Sequence, residues 1–337
     1  MTGKSGLALV DKGKDGVDRA FRADVLKGLA QPQKAIPARW LYDDAGSELF
    51  EDITRLPEYY PTRAETEILE RQGDEFRALI GTGRAVVEFG SGSSVKTPLL
   101  LRAIDPAAYV PLDIAGDFLR DAAANLQKNF PDLPIHPVEA DFMRQVELPE
   151  AVAGMHKLGF FPGSTIGNMV ARTAVDLLRS MKQTLAEGSN LDDFDAAPLL
   201  LIGMDLVKDE DVLTAAYDDA AGVTAQFNCN LARRINRELD GTIPLDKLRH
   251  EARWNDDFAR VEMHLVAVED LGFTVSGRDF LLAKGETIHT ENSHKFTRRS
   301  AQLLLSAGGW MPLARWMDEK EQFSVWLARA SEPREAP

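Results

Sequence analysis

The stretch Val86-Val87-Glu88-Phe89-Gly90-Ser91-Gly92-Ser93-Ser94 joins an almost unbroken apolar run to two glycines one residue apart. Such a run reads as a strand buried on both faces, and glycines at its carboxyl end let a nucleotide-like ligand approach the backbone closely. From AVVEF (85–89) the chain continues as helix VKTPLLLRAI (95–104), strand AAYVPLD (107–113), helix GDFLRDAAANLQKNF (116–130) and strand LPIHPVEA (133–140). Strand KLGFFPG (157–163), a helix from Val170 to Ala186 and strand PLLLIGMD (198–205) follow. Five β–α repeats imply a doubly wound α/β core.

A lone G-x-G also occurs in plain strand-to-helix turns, so its neighbours decide the reading. The position three after Gly92 is Val95, not the third glycine of the dinucleotide fingerprint, which argues against a pyrophosphate on the helix. A positively charged cofactor without phosphates fits better. The second strand ends at Asp113, roughly 20 residues past the loop, the placement expected of a carboxylate holding ribose hydroxyls. After the third strand, Asp141 and Phe142 suit an adenine amino group and ring face. Gly90, Ser91, Gly92, Asp113, Asp141 and Phe142 are therefore candidate cofactor contacts. The fourth strand leads into PGSTIGNM, where Asn168 either bridges cofactor and substrate or caps the next helix.

Upstream, residues 1–20 read as a flexible arm, and Pro61 in LPEYYPTR (56–63) can open a helix. From Thr62 a helix is expected to run to Gly81, with Ile68, Leu69, Phe76 and Leu79 at helical spacing. The link EGSNLDDFDAAP (187–198) reads as a surface loop. Past Asp205 the rhythm changes to helices, one through VTAQFNCNLARRINREL (223–239), and then to strand-like ARVEMHLVAVED (259–270), an α+β insertion. Helix KFTRRSAQLLLSAG (295–308) and strand FSVWLARA (323–330) follow, the strand suited to joining the sheet antiparallel.

Composition narrows the class. The net charge of -14 over 337 residues would repel a phosphate backbone, so no nucleic-acid partner is expected. One cysteine, Cys229, forms no internal disulfide and reads as a buried side chain in a reducing compartment. No stretch approaches the roughly 20 apolar residues of a membrane span, and the amino-terminal apolar run is too short for a secretory signal. A cytoplasmic protein acting on a small molecule is expected, its acidic surface compatible with a monomer.

The segments LYDDAGSELFEDITRLPEYYPTRAE, FGSGSS with Lys96-Thr97, FFPGSTIGNM, AYDDAAGVTAQFN, ARWN with VEMHL, and TENSHKF together resemble the histidine N-alpha-methyltransferases of the ergothioneine pathway, which convert histidine to hercynine. The likeness runs from about Leu41 onward. It implies S-adenosylmethionine as cofactor and a Rossmann-like class I methyltransferase domain (63–205 with 296–337). A smaller α+β substrate domain (21–62 with 206–295) is implied beside it. It also implies that Tyr42 and Lys96 contact the cofactor, Tyr59 reaches the imidazole, and Asn168 and Tyr217 hold the amino and carboxylate groups. Glu291 and Ser293 would bind the ring nitrogens, and Met263 would line the pocket. A histidine ring offers one donor and one acceptor, which a carboxylate beside a hydroxyl can satisfy. Within TENSHKF this chain departs from the pattern at Asn292, where an apolar β-branched residue is expected, and at His294, where a cysteine is common.

His289, Glu291 and His294 lie close in sequence, and on a regular strand His289 and Glu291 would share a face, yet the trio is a weak zinc signal and no metal is expected. Displacement at a sulfonium needs an aligned, unprotonated amine and no covalent nucleophile. Asn168 and Tyr217 are the candidate catalytic residues, with Tyr217 or a water taking the proton. Rival readings are a methyltransferase for another amino acid, a non-catalytic adenosyl- or amino-acid-binding protein and, more distantly, an NAD-linked oxidoreductase.

Overall fold

Strands Ala85–Phe89, Lys157–Phe161 and Leu199–Asp205 are buried along their whole length, as their apolar runs require of a sheet covered on both faces. They belong to a seven-stranded sheet in the computed structural model, which describes residues 16–92, 96–114, 116–188, 191, 193 and 196–331, with backbone alone at 117 and 118. The order across the sheet is Trp310–Met317, Phe323–Ala330, Leu199–Asp205, Lys157–Phe161, Ala85–Phe89, Ala108–Asp113 and Val138–Glu139. The last five pair in parallel, and the strand Phe323–Ala330 joins antiparallel, as its sequence suited it to do. Alternate side chains feed two cores. Val87 and Phe89 pack with Leu177, Leu178 and Met181 on one face, and Val86 with Ile68, Leu100 and Leu101 on the other. This is the doubly wound α/β core. Its strand order reverses at Ala85–Phe89, so the loops after this strand and after Lys157–Phe161 flank the switch point, where such sheets bind ligands.

Several local expectations are corrected. The strand expected over 133–140 shrinks to Val138–Glu139 plus one bridge from Tyr109 to Ile135, because Pro134 and Pro137 supply no ladder N–H. The helix expected from Thr62 to Gly81 is two, Tyr60–Arg71 and Gly73–Ile80, broken at Gln72. The edge strand Trp310–Met317 went unread, since Pro312 and a register shift before Ala314 blur its alternation. The arm expected over residues 1–20 gives way to helix Arg19–Leu29, whose first N–H groups are capped by Asp18. Residues 1–15 of that arm, Ser93 to Val95 and part of the 187–198 link lie outside the described residues.

The chain forms two compact units, crossing between them at Tyr60–Pro61, Val207–Lys208 and His294–Lys295. The seven-stranded sheet belongs to the unit that starts at Pro61. The other unit holds a four-stranded sheet in the order Lys34–Ala35, Thr287–His294, Arg260–Ala267 and Leu248–Asn255. Helix Val223–Glu238 packs against it, burying Phe227, Leu231 and Ile235 in a core with Val261, Met263 and Leu265. A hairpin of Leu271–Val275 and Arg278–Leu282 turns through Ser276 and Gly277, both at positive φ as a two-residue hairpin turn demands.

Candidate active site

In the seven-stranded unit the glycine loop is shaped by its backbone. Gly90 has φ +76°, and the N–H groups of Gly90 and Ser91 both donate to the carbonyl of Leu112, at 2.9 and 3.0 Å. That holds the loop against the end of the strand carrying Asp113. The Asp113 carbonyl in turn accepts from the Ala140 N–H at 2.9 Å, which ties the Asp113 and Asp141 segments together. Asp141 accepts from the Met143 N–H at 3.1 Å. The Phe142 ring lies 3.5 Å from where a Gly90 Cβ would stand and meets Phe89 and Phe161 edge-on. The Phe142 ring and the ends of two strands, carrying Asp113 and Asp141, thus meet at the glycine loop.

Two buried carboxylates that the sequence reading passed over brace this loop. Glu88 accepts hydrogen bonds from Thr97 Oγ1 at 2.8 Å and from the Tyr109 hydroxyl, which also pairs with Ser91 Oγ at 2.9 Å. Burial pushes its carboxyl up to about 7, despite the stabilising hydroxyls. Glu65 accepts from Lys96 Nζ at 2.6 Å and from the Gly163 N–H at 2.8 Å, linking the glycine loop's helix to the loop after Lys157–Phe161. A Cβ at Gly203 would stand 2.2 Å from Glu65 Oε1, so only glycine fits there. No periodicity signal marks Glu65, because its partners are 31 and 98 residues away.

Ser164, at φ 55°, accepts from the Asp205 N–H at 2.9 Å through Oγ, and Asp205 forms a 2.7 Å ion pair with the fully buried Lys295. These contacts anchor the short helix Thr165–Asn168 that ends in Asn168. The helix beyond it starts at Ala171 with Val170 at its cap position and no side-chain cap, so Asn168 does not serve that purpose. The loop suits S-adenosylmethionine. It has an open glycine at Gly92, the Asp113 and Asp141 carboxylates at adjoining strand ends, and a lysine already neutralised by Glu65 rather than offered to a phosphate.

The other unit is built from side chains. Tyr42, Phe50, Tyr59, Tyr217 and Phe227 form a chain of edge-on or tilted rings with centroids 5.3–6.2 Å apart. Beside them the Tyr42 hydroxyl reaches Glu291 Oε1 at 3.4 Å, and the Tyr217 hydroxyl pairs with Ser293 Oγ at 2.6 Å. Burial, then the charge of Glu291, holds the Tyr42 phenol well above its ordinary value, although 37% of the residue's surface is exposed. Tyr59, Tyr217, Met263, Glu291 and Ser293 are all buried. Tyr42 therefore stands among the residues expected to hold the imidazole, in a different unit from the glycine loop. Phe50 and Phe227 were not singled out from sequence, where each reads as an ordinary apolar position on an amphipathic helix.

A β-bulge decides which way Glu291 points. His289 pairs with His264 and Glu291 with Met263, two consecutive residues of a regular strand, so His289 and Glu291 face opposite ways. The expectation of a shared face is corrected by this extra residue, Thr290. The same register pairs Asn292 with Glu262 and His294 with Arg260, on the face away from Glu291 and Ser293. The two departures from the family pattern thus lie behind the pair they flank. On that rear face Glu262, His264 and His289 bring possible ligand atoms within 4.8 Å. Glu262 is already held by Arg260 Nε at 2.7 Å, and the two imidazoles stack face to face at 4.7 Å instead of converging their lone pairs. The carboxyl of Glu262 is held down to about 2 by Arg260 and His264 against the cost of burial, and burial drives the His264 imidazole down to about 4. The three side chains are already bonded within the sheet.

Comparison with known proteins agrees with this geometry. Residues 21–330 match the family model described as histidine-specific methyltransferase, SAM-dependent. The chain is 39% identical to a histidine N-alpha-methyltransferase of Mycolicibacterium smegmatis, over 93% of this chain and 96% of that one. It is 38% identical to the corresponding protein of Mycobacterium tuberculosis, over 94% and 97%. An L-tryptophan methyltransferase of Psilocybe serbica is 27% identical over 92% of this chain and 93% of its own. The chain belongs to the histidine-specific, S-adenosylmethionine-dependent methyltransferase family. Among the described residues no helix is long and apolar enough to cross a membrane.

Proposed function

We propose that this protein transfers three methyl groups to the α-amino nitrogen of L-histidine, giving hercynine, the betaine of the ergothioneine pathway. The observation that carries the reading is the buried pair Glu291 and Ser293 on one strand face, with Tyr42 and Tyr217 hydroxyls against them. A carboxylate accepts the ring N–H while a hydroxyl donates to the other ring nitrogen, a match an indole or phenyl ring cannot make. Tyr59 and Met263 close on the ring, and Asn168 and Tyr217 orient the amino and carboxylate groups. Gly90, Ser91, Gly92, Lys96, Asp113, Asp141 and Phe142 form the adenosyl site. Tyr42, expected at the cofactor, also stands against Glu291.

When bound, S-adenosylmethionine supplies a methyl carbon on a sulfonium, which an unprotonated amine displaces without a covalent enzyme intermediate. The chain's own work is orientation, exclusion of water and delivery of the amine proton to Tyr217 or solvent. The unit carrying Glu291 is the substrate domain and the seven-stranded unit the methyltransferase domain. The protein acts on small molecules in the cytoplasm, without a nucleic-acid partner. The facing of Asn292 and His294 away from Glu291 and Ser293 supports histidine as the substrate. The test is a panel of amino acids with the methyl donor. Histidine alone should gain methyl groups, and methylation of tryptophan with histidine untouched would overturn the assignment.

A further inference from the structure

Behind the ring site, four buried groups form a chain whose hydrogen-bond directions are fixed by its ends. Asn228 Nδ2 lies 3.1 Å from the His264 carbonyl, which can only accept, so the amide nitrogen is on that side. Its second proton points to His250 Nδ1 at 2.9 Å, which must accept it. The ring proton of His250 therefore sits on Nε2 and is donated to the Tyr217 carbonyl at 2.8 Å. On the other side Asn228 Oδ1 accepts from Thr290 Oγ1 at 2.6 Å, and Thr290 is the bulge residue that turns Glu291 inward. Asn228 is wholly buried, with Thr290 and His250 close to it in burial.

We propose that His250 is a positioning residue, which through Asn228 and Thr290 holds Tyr217 at a fixed spacing from Glu291 and so sets the affinity for histidine. The inference rests on the assignment of Tyr217 and Glu291 to the substrate. Two strands and a loop far apart in sequence deliver the two ends of the substrate clamp, and the path through His250, Asn228 and Thr290 joins the Tyr217 backbone to the bulge. Every polar atom of the His250 ring and the Asn228 amide is used in this path, so neither can shift without leaving a buried group unpaired. Neutrality of the imidazole follows from the same geometry, since a proton on Nδ1 would face the Asn228 amide hydrogens. Burial lowers the basicity of His250 in the same sense, although its Tyr217 hydrogen bond and the charges of Asp218, Asp219 and Glu251 oppose it. Asp219 is itself fixed. Burial disfavours its charge, but the N–H groups of Thr224 and Val223, at 2.7 and 3.0 Å, keep its carboxyl below the ordinary value.

The deciding experiment measures histidine and S-adenosylmethionine affinity, KM, kcat and Tm for His250→Phe, His250→Gln and Thr290→Val in the full chain. Gln keeps a donor near the Nε2 position, whereas Phe removes it. His250→Phe should weaken histidine about ten-fold or more, the usual scale for a buried donor lost, with cofactor affinity unchanged and Gln restoring most of the loss. Thr290→Val, nearly isosteric, should weaken histidine in the same selective way and supplies the test should the Phe variant fail to fold. A folded His250→Phe or Thr290→Val protein with unaltered histidine affinity, or with equal loss for cofactor and histidine, overturns the proposal. Glu291→Ala and Tyr217→Phe are measured alongside. If these two leave histidine binding intact, the substrate-site assignment fails instead, so the two failures are distinguishable.

Discussion

The two ligand-facing regions are built from different material. Around the glycine loop the decisive features are backbone conformations, Gly90 at φ +76°, Gly163 at φ +81° and Ser164 at φ 55°, braced from below by Glu88, Glu65 and Asp205. Around Glu291 the decisive features are side chains, five aromatic rings and two polar groups on a bulged strand, positioned by a buried path through Asn228 and His250. A backbone-built site reads the part of a ligand shared by many reactions. A side-chain-built site reads what is particular to one substrate, and it depends on contacts between residues tens or hundreds of positions apart.

This contrast can be broken by substitutions whose effects should separate. The largest loss of stability is expected from Lys295→Met, which takes the ammonium partner away from the buried Asp205 carboxylate next to Ser164. Removing one member of such a pair costs about 3–5 kcal/mol. Denaturant unfolding should show that loss, and Asp205→Leu added to Lys295→Met should recover part of it. Next comes Glu291→Ala, for which calorimetry should find histidine weakened by about 2–3 kcal/mol, the scale of a hydrogen bond to a charged group, with the cofactor unaffected. Comparable loss of both ligands in a folded protein would dissolve the distinction between the two regions.

Another effect appears only on changing pH. The Glu88 carboxyl is raised from 4.5 to about 7 in the folded state, so between those values the native protein holds a proton that the unfolded chain has released. Its stability contribution is present in full below 4.5 and is lost as pH rises to 7, at up to about 1.4 kcal/mol per pH unit. Glu88→Gln should remove that slope from the stability profile between pH 4.5 and 7, and an unchanged slope would place its origin elsewhere. The mildest is Gly90→Ala. The new methyl group meets Phe142 at an ordinary 3.5 Å, so the cost is the positive φ alone, about 1–2 kcal/mol, expressed in cofactor affinity and not in histidine affinity.

The same difference explains what could be read from the chain. AVVEF, KLGFF and LLLIGMD declare themselves because a strand buried on both faces must be apolar throughout, and the glycines at 90 and 92 stand where one such run stops. The edges were less legible: the strand expected over 133–140 is cut short by Pro134 and Pro137, and Trp310–Met317 went unread because Pro312 and a register shift blur its alternation. Glu65 and Glu88 stayed hidden because a buried acid inside a helix or strand looks like a surface charge until its partners are known. The facing of Glu291 was inaccessible for a geometric reason. One inserted residue reverses the alternation, and no local signal at Thr290 announces it. Tyr59, Tyr217 and Ser293 acquired candidate roles through the family resemblance, whereas Phe50 and Phe227 carried no such mark.

The central claim is tested most directly by incubating the full chain with S-adenosylmethionine and L-histidine and weighing the histidine by mass spectrometry. The expected result is a gain of three methyl groups, all located on the α-amino nitrogen by fragmentation. No gain, or methylation confined to the imidazole ring, would contradict it.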